Sequence, residues 1–261
     1  MKKTKIKKIF GAKNNILIGM IHLPPLLSIR GFLGMKKTID KALADLSVLE
    51  KAGFNGALIE NDDDKPHTEF ANIAQVASFS IIANEVCKNA KIPIGVQVML
   101  NDWRASFAIS KAVGAQFTRL DVFVDHVDCK WGEIKPDPTK IINYKNKIYP
   151  ELLLLTDIQV KYKKMIKPRP LIASATLAIN NGSDGLIITG RATGVETPIE
   201  KIQEVRKNLP NFPIFVGAGV NEKNIREQFS IANGAIVGTS IKRGNKVDFR
   251  KASALRKQIQ L

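Results

Sequence analysis

A chain of 261 residues with 44% hydrophobic and 25% charged residues is long enough for one large globular domain and too apolar for a disordered protein. Two cysteines, Cys87 and Cys129, are too few and too far apart for a disulfide framework or a zinc site, and no apolar run approaches the roughly 20 residues of a membrane span. The net charge of +16 comes from scattered lysines with few aromatics, which argues against specific nucleic-acid binding and fits a cytoplasmic protein that attracts small anions.

The chain starts with a basic segment. Residues 1–14 hold five lysines within the first eight positions, and we expect a solvated tail there, with contact to acidic lipid as the alternative. The apolar run that follows, residues 16–21, is too short for a signal peptide and is interrupted by His22 and two prolines.

A short buried strand recurs along the chain, four times directly after a helix end and a glycine. Buried strands of this kind indicate parallel pairing. The eight predicted strands lie at or within residues 16–22, 51–60, 93–101, 113–121, 151–159, 180–189, 213–217 and 232–238. The predicted helices lie near residues 37–52, 68–89, 102–113, 170–181, 199–208, 221–229 and 248–260. Eight strand–helix units in this length predict one closed (β/α)8 barrel, α/β in class, over residues 1–261.

The segment 122–150 interrupts this rhythm. It contains Trp131, Pro136 and Pro138 and is longer than an ordinary connection, so we interpret it as an elaborated loop with one short helix near 139–147. It either lies over the mouth of the barrel or is an insertion that contacts no ligand.

Polar residues recur near the carboxyl ends of the predicted strands. Alternate residues of a barrel strand face the lumen, where a polar side chain near the carboxyl end reaches the site used by barrel enzymes. The candidate catalytic residues are His22, Glu60, Asn101, Asp121 and Asp157. The candidate substrate-binding residues are Asn61, Gln97, Arg119, Lys161 and Thr189. These groups suit acid–base chemistry or the binding of sugar hydroxyls, and a neutralised ion-pair network is the alternative.

No cofactor or metal is predicted, although a divalent cation on the carboxylates stays open. His22 is equally compatible with a purely structural role.

Two glycine-containing turns follow the last two strands. Glycines allow backbone N–H groups to approach an anion closely, and barrels commonly bind phosphate after strands seven and eight. The predicted phosphate-binding residues are Gly217, Gly219, Gly238, Thr239 and Ser240. Turns needed only for packing are the alternative.

Segments throughout the chain resemble the BtpA/SgcQ family. They are Ile21-His22-Leu23-Pro24-Pro25-Leu26, Glu60-Asn61 with Asp64 and Pro66, Asn101-Asp102, Asp157-Ile158-Gln159-Val160-Lys161, Ile188-Thr189-Gly190 with Thr193-Gly194, Val216-Gly217-Ala218-Gly219 and Ile236-Val237-Gly238-Thr239-Ser240-Ile241-Lys242. The chain departs from the family pattern at residues 27–30 and at Leu100. The resemblance implies a ribulose-phosphate-binding type of barrel. One branch of the family is associated with photosystem I biogenesis and another is described as nucleosidases or sugar-phosphate enzymes.

Two functions follow as hypotheses. The first is an enzyme that acts on a phosphorylated sugar, nucleoside or nucleotide, with isomerisation, carbon–carbon cleavage and hydrolysis all open. The second is a non-catalytic assembly factor that uses its basic surface to meet a membrane or partner. The expected partner is a small phosphorylated ligand, and a homo-oligomer stays open.

Overall fold

Eight parallel strands close into a barrel in the computed structural model, which describes residues 2–259. Each strand pairs with its neighbours in chain order, and β8 returns to pair with β1. The strands are β1 (Ile16–His22), β2 (Gly56–Glu60), β3 (Ile94–Gln97), β4 (Phe117–Leu120), β5 (Leu153–Ile158), β6 (Gly185–Ile188), β7 (Ile214–Val216) and β8 (Gly234–Val237). The predicted (β/α)8 barrel is confirmed.

One helix precedes the barrel and eight follow its strands, one after each. They are α1 (Lys2–Phe10), α2 (Met35–Lys51), α3 (Ile73–Asn89), α4 (Trp103–Val113), α5 (Pro138–Ile148), α6 (Leu171–Asn180), α7 (Ile199–Asn208), α8 (Ile225–Ile231) and α9 (Phe249–Lys257). Short polar side chains begin several of them: Asn72 forms a capping box with Gln75 at α3, and Asp102, Asp137 and Asp248 cap α4, α5 and α9.

The apolar core has two layers. The larger layer lies between the sheet and the outer helices, and the smaller one fills the amino-terminal half of the lumen with residues such as Phe117, Phe215 and Ile18. Gly95 leaves space for the Phe117 ring in this inner layer, because a Cβ on residue 95 would lie 2.3 Å from the ring. The lumen is therefore packed at its amino-terminal half, which leaves its carboxyl end for a site.

The basic tail expected over residues 1–14 is not solvated along its length. Residues 2–10 form α1, in which Ile6 and Phe10 are buried, and the Phe10 ring lies 5.2 Å from that of Phe117. Lys5 Nζ pairs with Asp184 at 2.7 Å. Apolar residues four positions apart share one face of a helix, and here that face covers the amino-terminal end of the barrel.

The segment 122–150 contains more regular structure than the expected loop. Residues Val127–Cys129 and Gly132–Ile134 form a hairpin, which pairs with Lys164–Met165 to give a small antiparallel sheet. The helix expected near 139–147 is α5, which is the outer helix of the fourth strand–helix unit rather than part of a loop.

Candidate active site

A cavity of about 550 Å³ opens at the carboxyl end of the barrel. Polar groups from β1, β2 and β4 line it together with the turns after β7 and β8, and the turn after β8 adjoins β1. Met20, Met99, Leu100 and Ile236 add apolar surface. The residue at the tip of the hairpin, Trp131, also lines the cavity, so the segment 122–150 contributes to its wall. This combination of apolar wall and few polar groups is typical of a small-molecule site.

An acid and a base lie side by side at the ends of β1 and β2. His22 Nε2 is 3.4 Å from Glu60 Oε2, and His22 Nδ1 is 3.9 Å from Asp62 Oδ2. Burial, assisted by Asp62, raises the pKa of Glu60 to about 8. Burial, assisted by Lys242 and Lys41, lowers the pKa of His22 well below its usual value of 6.5. At neutral pH Glu60 therefore carries a proton that it can donate, and the neutral His22 can accept one.

An ionic network lies beside this pair. Arg119 holds Asp157 through two hydrogen bonds of 2.8 Å and lies 3.6 Å from Asp121. Asp121 also accepts hydrogen bonds at 3.0 Å from Lys163 Nζ and Gln97 Nε2. Although burial alone would raise it, the pKa of Asp121 is lowered by Lys163 and Arg119. Asp121 is thus held as a carboxylate and is a weak base.

Asp157 does not line the cavity. It is 1% exposed, and both of its oxygens are occupied by Arg119, whose guanidinium does reach the cavity. Although burial alone would lower it, the pKa of Arg119 is raised by Asp157 and Asp121. The position of Asp157 suits a residue that orients Arg119 better than the catalytic role expected from the sequence.

Asn101 and Asn61 also lie away from the cavity, where they support loops. Asn101 forms two hydrogen bonds with the backbone of Val122, at 2.9 and 3.1 Å. Asn61 donates to Asp64 at 2.7 Å and accepts from the Met99 N–H at 2.9 Å. The expected catalytic placement of Asn101 is wrong because β3 ends at Gln97, so strand alternation does not extend to residue 101.

Lys161 reaches the cavity from the loop after β5. Its backbone N–H donates to Thr189 Oγ1 at 3.1 Å, so Thr189, 1% exposed, fixes the loop instead of lining the site. Within residues 2–259 no acceptor is assigned to the Lys161 ammonium, which leaves a cation facing the cavity.

The glycine-containing turns after β7 and β8 form the part of the cavity wall that adjoins β1. All five predicted phosphate-binding residues line the cavity there. Gly219 has φ +69°, and a Cβ on it would lie 2.3 Å from the Val195 backbone, so only glycine fits. Ser240 Oγ donates to the Val220 carbonyl at 2.6 Å and joins the two turns. The turn Thr239–Ile241 is a short 3-10 helix, whose first N–H groups lack acceptors within the helix.

Sequence reasoning missed several residues of the cavity wall. Lys163 lines it together with Lys161 and Tyr162, in a loop where Tyr162 has φ +62° and the chain is not extended. His67 also lines it and lies 5.1 Å, centroid to centroid, from the ring of Trp131. Trp131, an isolated tryptophan in the irregular segment 122–150, was the sequence feature that pointed to this part of the cavity wall.

Two features are absent from residues 2–259, the part of the chain that the structure describes. No cluster of three or more His, Cys, Asp or Glu side chains there has a geometry that could hold a metal ion. No helix in that range has the length and apolar character needed to cross a membrane.

Known sequences similar to this chain span nearly its whole length. The sequence profile of the BtpA family matches residues 13–260. An uncharacterized protein of Pyrococcus horikoshii is 30% identical over 252 residues, which cover 95% of this chain and 96% of that protein. The photosystem I biogenesis protein BtpA of Synechocystis is 29% identical over 238 residues, covering 90% of this chain and 83% of that protein.

Solved structures share the fold at low sequence identity. The N-(5'-phosphoribosyl)anthranilate isomerase from Pyrococcus furiosus matches with a TM-score of 0.60 and 13% identity over 94% of this chain and 98% of that one. The thiamine phosphate pyrophosphorylase from the same organism matches with a TM-score of 0.58 and 14% identity over 94% and 95%. These structures show the (β/α)8 barrel fold of this chain.

Proposed function

The chain belongs to the BtpA family, and from that premise we propose that it is an enzyme that performs acid–base chemistry on a small phosphorylated sugar or nucleoside. One observation carries the proposal: the His22–Glu60 pair and the turns at Gly217–Gly219 and Gly238–Ser240 line a single cavity, in which a Cβ on Gly238 would lie 3.6 Å from the His22 ring. The names of two solved structures that share the fold, with a phosphoribosyl compound in one and thiamine phosphate in the other, support a phosphorylated ligand.

The turns after β7 and β8 bind the phosphate in this proposal. Backbone N–H groups at glycine-containing turns accommodate an anion without a nearby side chain in the way. Arg119 and Lys161 supply positive charge on the side of the substrate that reacts. The phosphate of the substrate thus lies at the turns after β7 and β8, and its reacting carbons lie beside it, next to His22 and Glu60.

Glu60 is the general acid and His22 the general base. Glu60 holds its proton at neutral pH and donates it to an oxygen of the substrate as negative charge develops there. His22, neutral and 3.4 Å away, accepts a proton from the neighbouring atom. Isomerisation, carbon–carbon cleavage and glycosidic hydrolysis all use such a proton donor, and this pair supplies both the donor and the acceptor.

Phosphate recognition is tested first, by thermal denaturation with sugar phosphates, nucleotides and the matching unphosphorylated compounds. We expect a phosphorylated ligand to raise the Tm and its unphosphorylated form not to. Thr239→Asp places a carboxylate at the exposed turn after β8 and should remove most of the stabilisation through repulsion.

Thr239→Asn is the matched control, because asparagine has nearly the same size as aspartate and carries no charge. It should keep the stabilisation that Thr239→Asp loses. Equal stabilisation of both variants, or no stabilisation of the parent protein by any phosphorylated compound, would rule out phosphate binding at this wall.

Once a substrate is found, Glu60→Gln should lower kcat by roughly 10²–10⁴-fold.

The second candidate is an assembly factor that acts at a membrane complex. Two observations favour it: the Synechocystis relative is named for photosystem I biogenesis, and the chain carries a net charge of +16. A scaffold of this kind needs neither an acid–base pair nor a cavity that contains it. Those features support the enzyme more strongly.

A further inference from the structure

Lys242 is a buried lysine two residues after the predicted phosphate-binding residues Gly238, Thr239 and Ser240. It follows the turn Thr239–Ile241 and is 8% exposed, whereas the next residue, Arg243, is exposed. No hydrogen-bond acceptor is within reach of Lys242 Nζ in the part of the chain that the structure describes. A buried ammonium without a partner costs several kcal/mol, so this arrangement calls for an explanation.

The carboxylate of α2 near Lys242 is already occupied. Asp45 Oδ2 pairs with Lys41 Nζ at 2.7 Å, and Asp45 Oδ1 accepts from the Val247 N–H at 2.9 Å. Lys41 also donates to the carbonyl of His22. Asp45, the carboxylate that α2 contributes near Lys242, is thus already paired with Lys41. It leaves the charge of Lys242 uncompensated.

The cavity residues near Lys242 do not compensate its charge either. Lys242 interacts electrostatically with His22, Glu60 and Asp62, all of which line the cavity. Glu60 is protonated at neutral pH, His22 is neutral, and the side chain of Asp62 is 43% exposed and screened by water. On α9, Lys251 donates to the carbonyl of Lys242 and adds a further positive charge.

The amine responds to this environment by holding its proton weakly. Burial, with Lys41 assisting, lowers the pKa of Lys242 to about 8. A negative charge that arrives nearby would reverse this effect, since an opposite charge favours the protonated form. The residues that line the cavity nearest to Lys242 in sequence are Gly238, Thr239 and Ser240.

We propose that Lys242 supplies the compensating positive charge for an anion bound at residues 238–240, and that binding of the anion draws a proton from solvent onto its amine. This inference rests on the proposed function, because it assigns an ionic partner to the same phosphate wall. The reaction balances as neutral amine plus one proton giving an ammonium, and no covalent bond to the ligand forms.

The test measures binding of inorganic phosphate by calorimetry in buffers of different ionisation enthalpy, which reports the protons taken up. Phosphate itself exchanges protons near neutral pH, so the share of Lys242 is the difference in uptake between the parent and Lys242→Met. If bound phosphate raises the pKa of Lys242 from about 8 by about one unit, this difference is about half a proton near pH 8.5 and close to zero at pH 7. Because the coupling between bound phosphate and the charge of Lys242 is reciprocal, Lys242→Met should weaken phosphate binding on the order of tenfold at pH 7. The same variant should remove the proton uptake of Lys242.

Two matched variants isolate Lys242. Lys242–Arg243 pairs with Lys246–Val247 in a two-stranded hairpin, and Lys246→Met removes the same charge from an exposed position of it and should bind phosphate like the parent. Glu60 titrates in the same pH range, so Glu60→Gln tests its share and should retain the uptake. Lys242→Met should unfold at a higher temperature than the parent without phosphate, because it removes an unpaired buried amine; lost binding would then not reflect unfolding.

The outcomes separate this inference from the proposed function. If the parent binds phosphate and Thr239→Asp weakens it, while Lys242→Met binds with parental affinity and proton uptake, the inference is overturned and the phosphate wall stands. If the parent binds neither phosphate nor any phosphorylated compound, both are overturned. Loss of affinity and of proton uptake in Lys242→Met alone supports the inference.

Discussion

At the scale of single residues, the proton on Glu60 links the stability of the protein to pH. The folded protein binds this proton up to about pH 8, whereas an unfolded chain releases it near 4.5. Between these values the folded state holds more protons, so the contribution of Glu60 to the free energy of unfolding falls as pH rises. Below about pH 4.5 both states are protonated and the penalty is absent.

Glu60→Gln should therefore stabilise the protein more at pH 8 than at pH 5. The gain over the parent should grow by at most about 1.4 kcal/mol per pH unit within this window. Urea denaturation of both proteins at several pH values measures it. Glu204→Gln, on an exposed carboxylate of α7, is the control and should show a gain that does not change with pH. A pH-independent gain in Glu60→Gln would contradict the raised pKa.

Residue positions were predictable only where a strand extended as far as expected. Alternation correctly placed His22, Glu60 and Asp121 at the cavity, because β1, β2 and β4 reach or adjoin those positions. It failed for Asn101, where the strand ends early. Lys242 gave no signal, since a lysine in a basic chain resembles a solvated one until its burial is known.

At the scale of elements, α1 is the part that the sequence described least well. Its lysines dominate the composition and hide an apolar face of two buried residues, Ile6 and Phe10. The barrel strands were easier, because each one is short, apolar and separated from the next by a helix. Strand and helix periodicity therefore predicted the barrel, whereas docking of α1 depends on a surface assembled from distant strands.

Phe10→Ala should destabilise the protein by about 3–5 kcal/mol, or by less if α1 detaches as a unit. The side chain fills the space beneath Phe117 and Gly56, and its ring centroid lies 5.2 Å from that of Phe117. Urea denaturation measures the loss, and limited proteolysis within residues 2–15 reports detachment. Lys8→Ala, at an exposed position of the same helix, is the control. Equal stability and equal cleavage of both variants would show that α1 is not docked.

At the scale of the whole molecule, the net charge of +16 acts over distances set by salt. Exposed charges attract an anionic surface at low ionic strength, but the Debye length shrinks to about 8 Å at physiological salt. The same field attracts small anions to the cavity, which is lined by Arg119, Lys161 and Lys163. A basic chain thus needs no membrane partner to benefit from its charge.

Binding to vesicles that contain anionic lipid separates the two candidate functions. For the enzyme we expect association at about 0.01 M ionic strength and its loss at about 0.15 M, because scattered surface charges are screened. Sedimentation with vesicles of neutral and of mixed lipid composition measures this. Binding that persists at the higher salt, with lipid selectivity, would favour the assembly factor.

The docking of α1 also sets an order of events during synthesis. The helix is translated before the segments that it contacts, which are Phe117 in β4, Leu152 before β5 and Asp184 before β6. These contacts are complete only after Asp184 has been translated. Until then Ile6 and Phe10 lack them, and we expect the lysines of this segment to favour its solvation. The basic character of the first residues thus suits a helix that is made early and docks late.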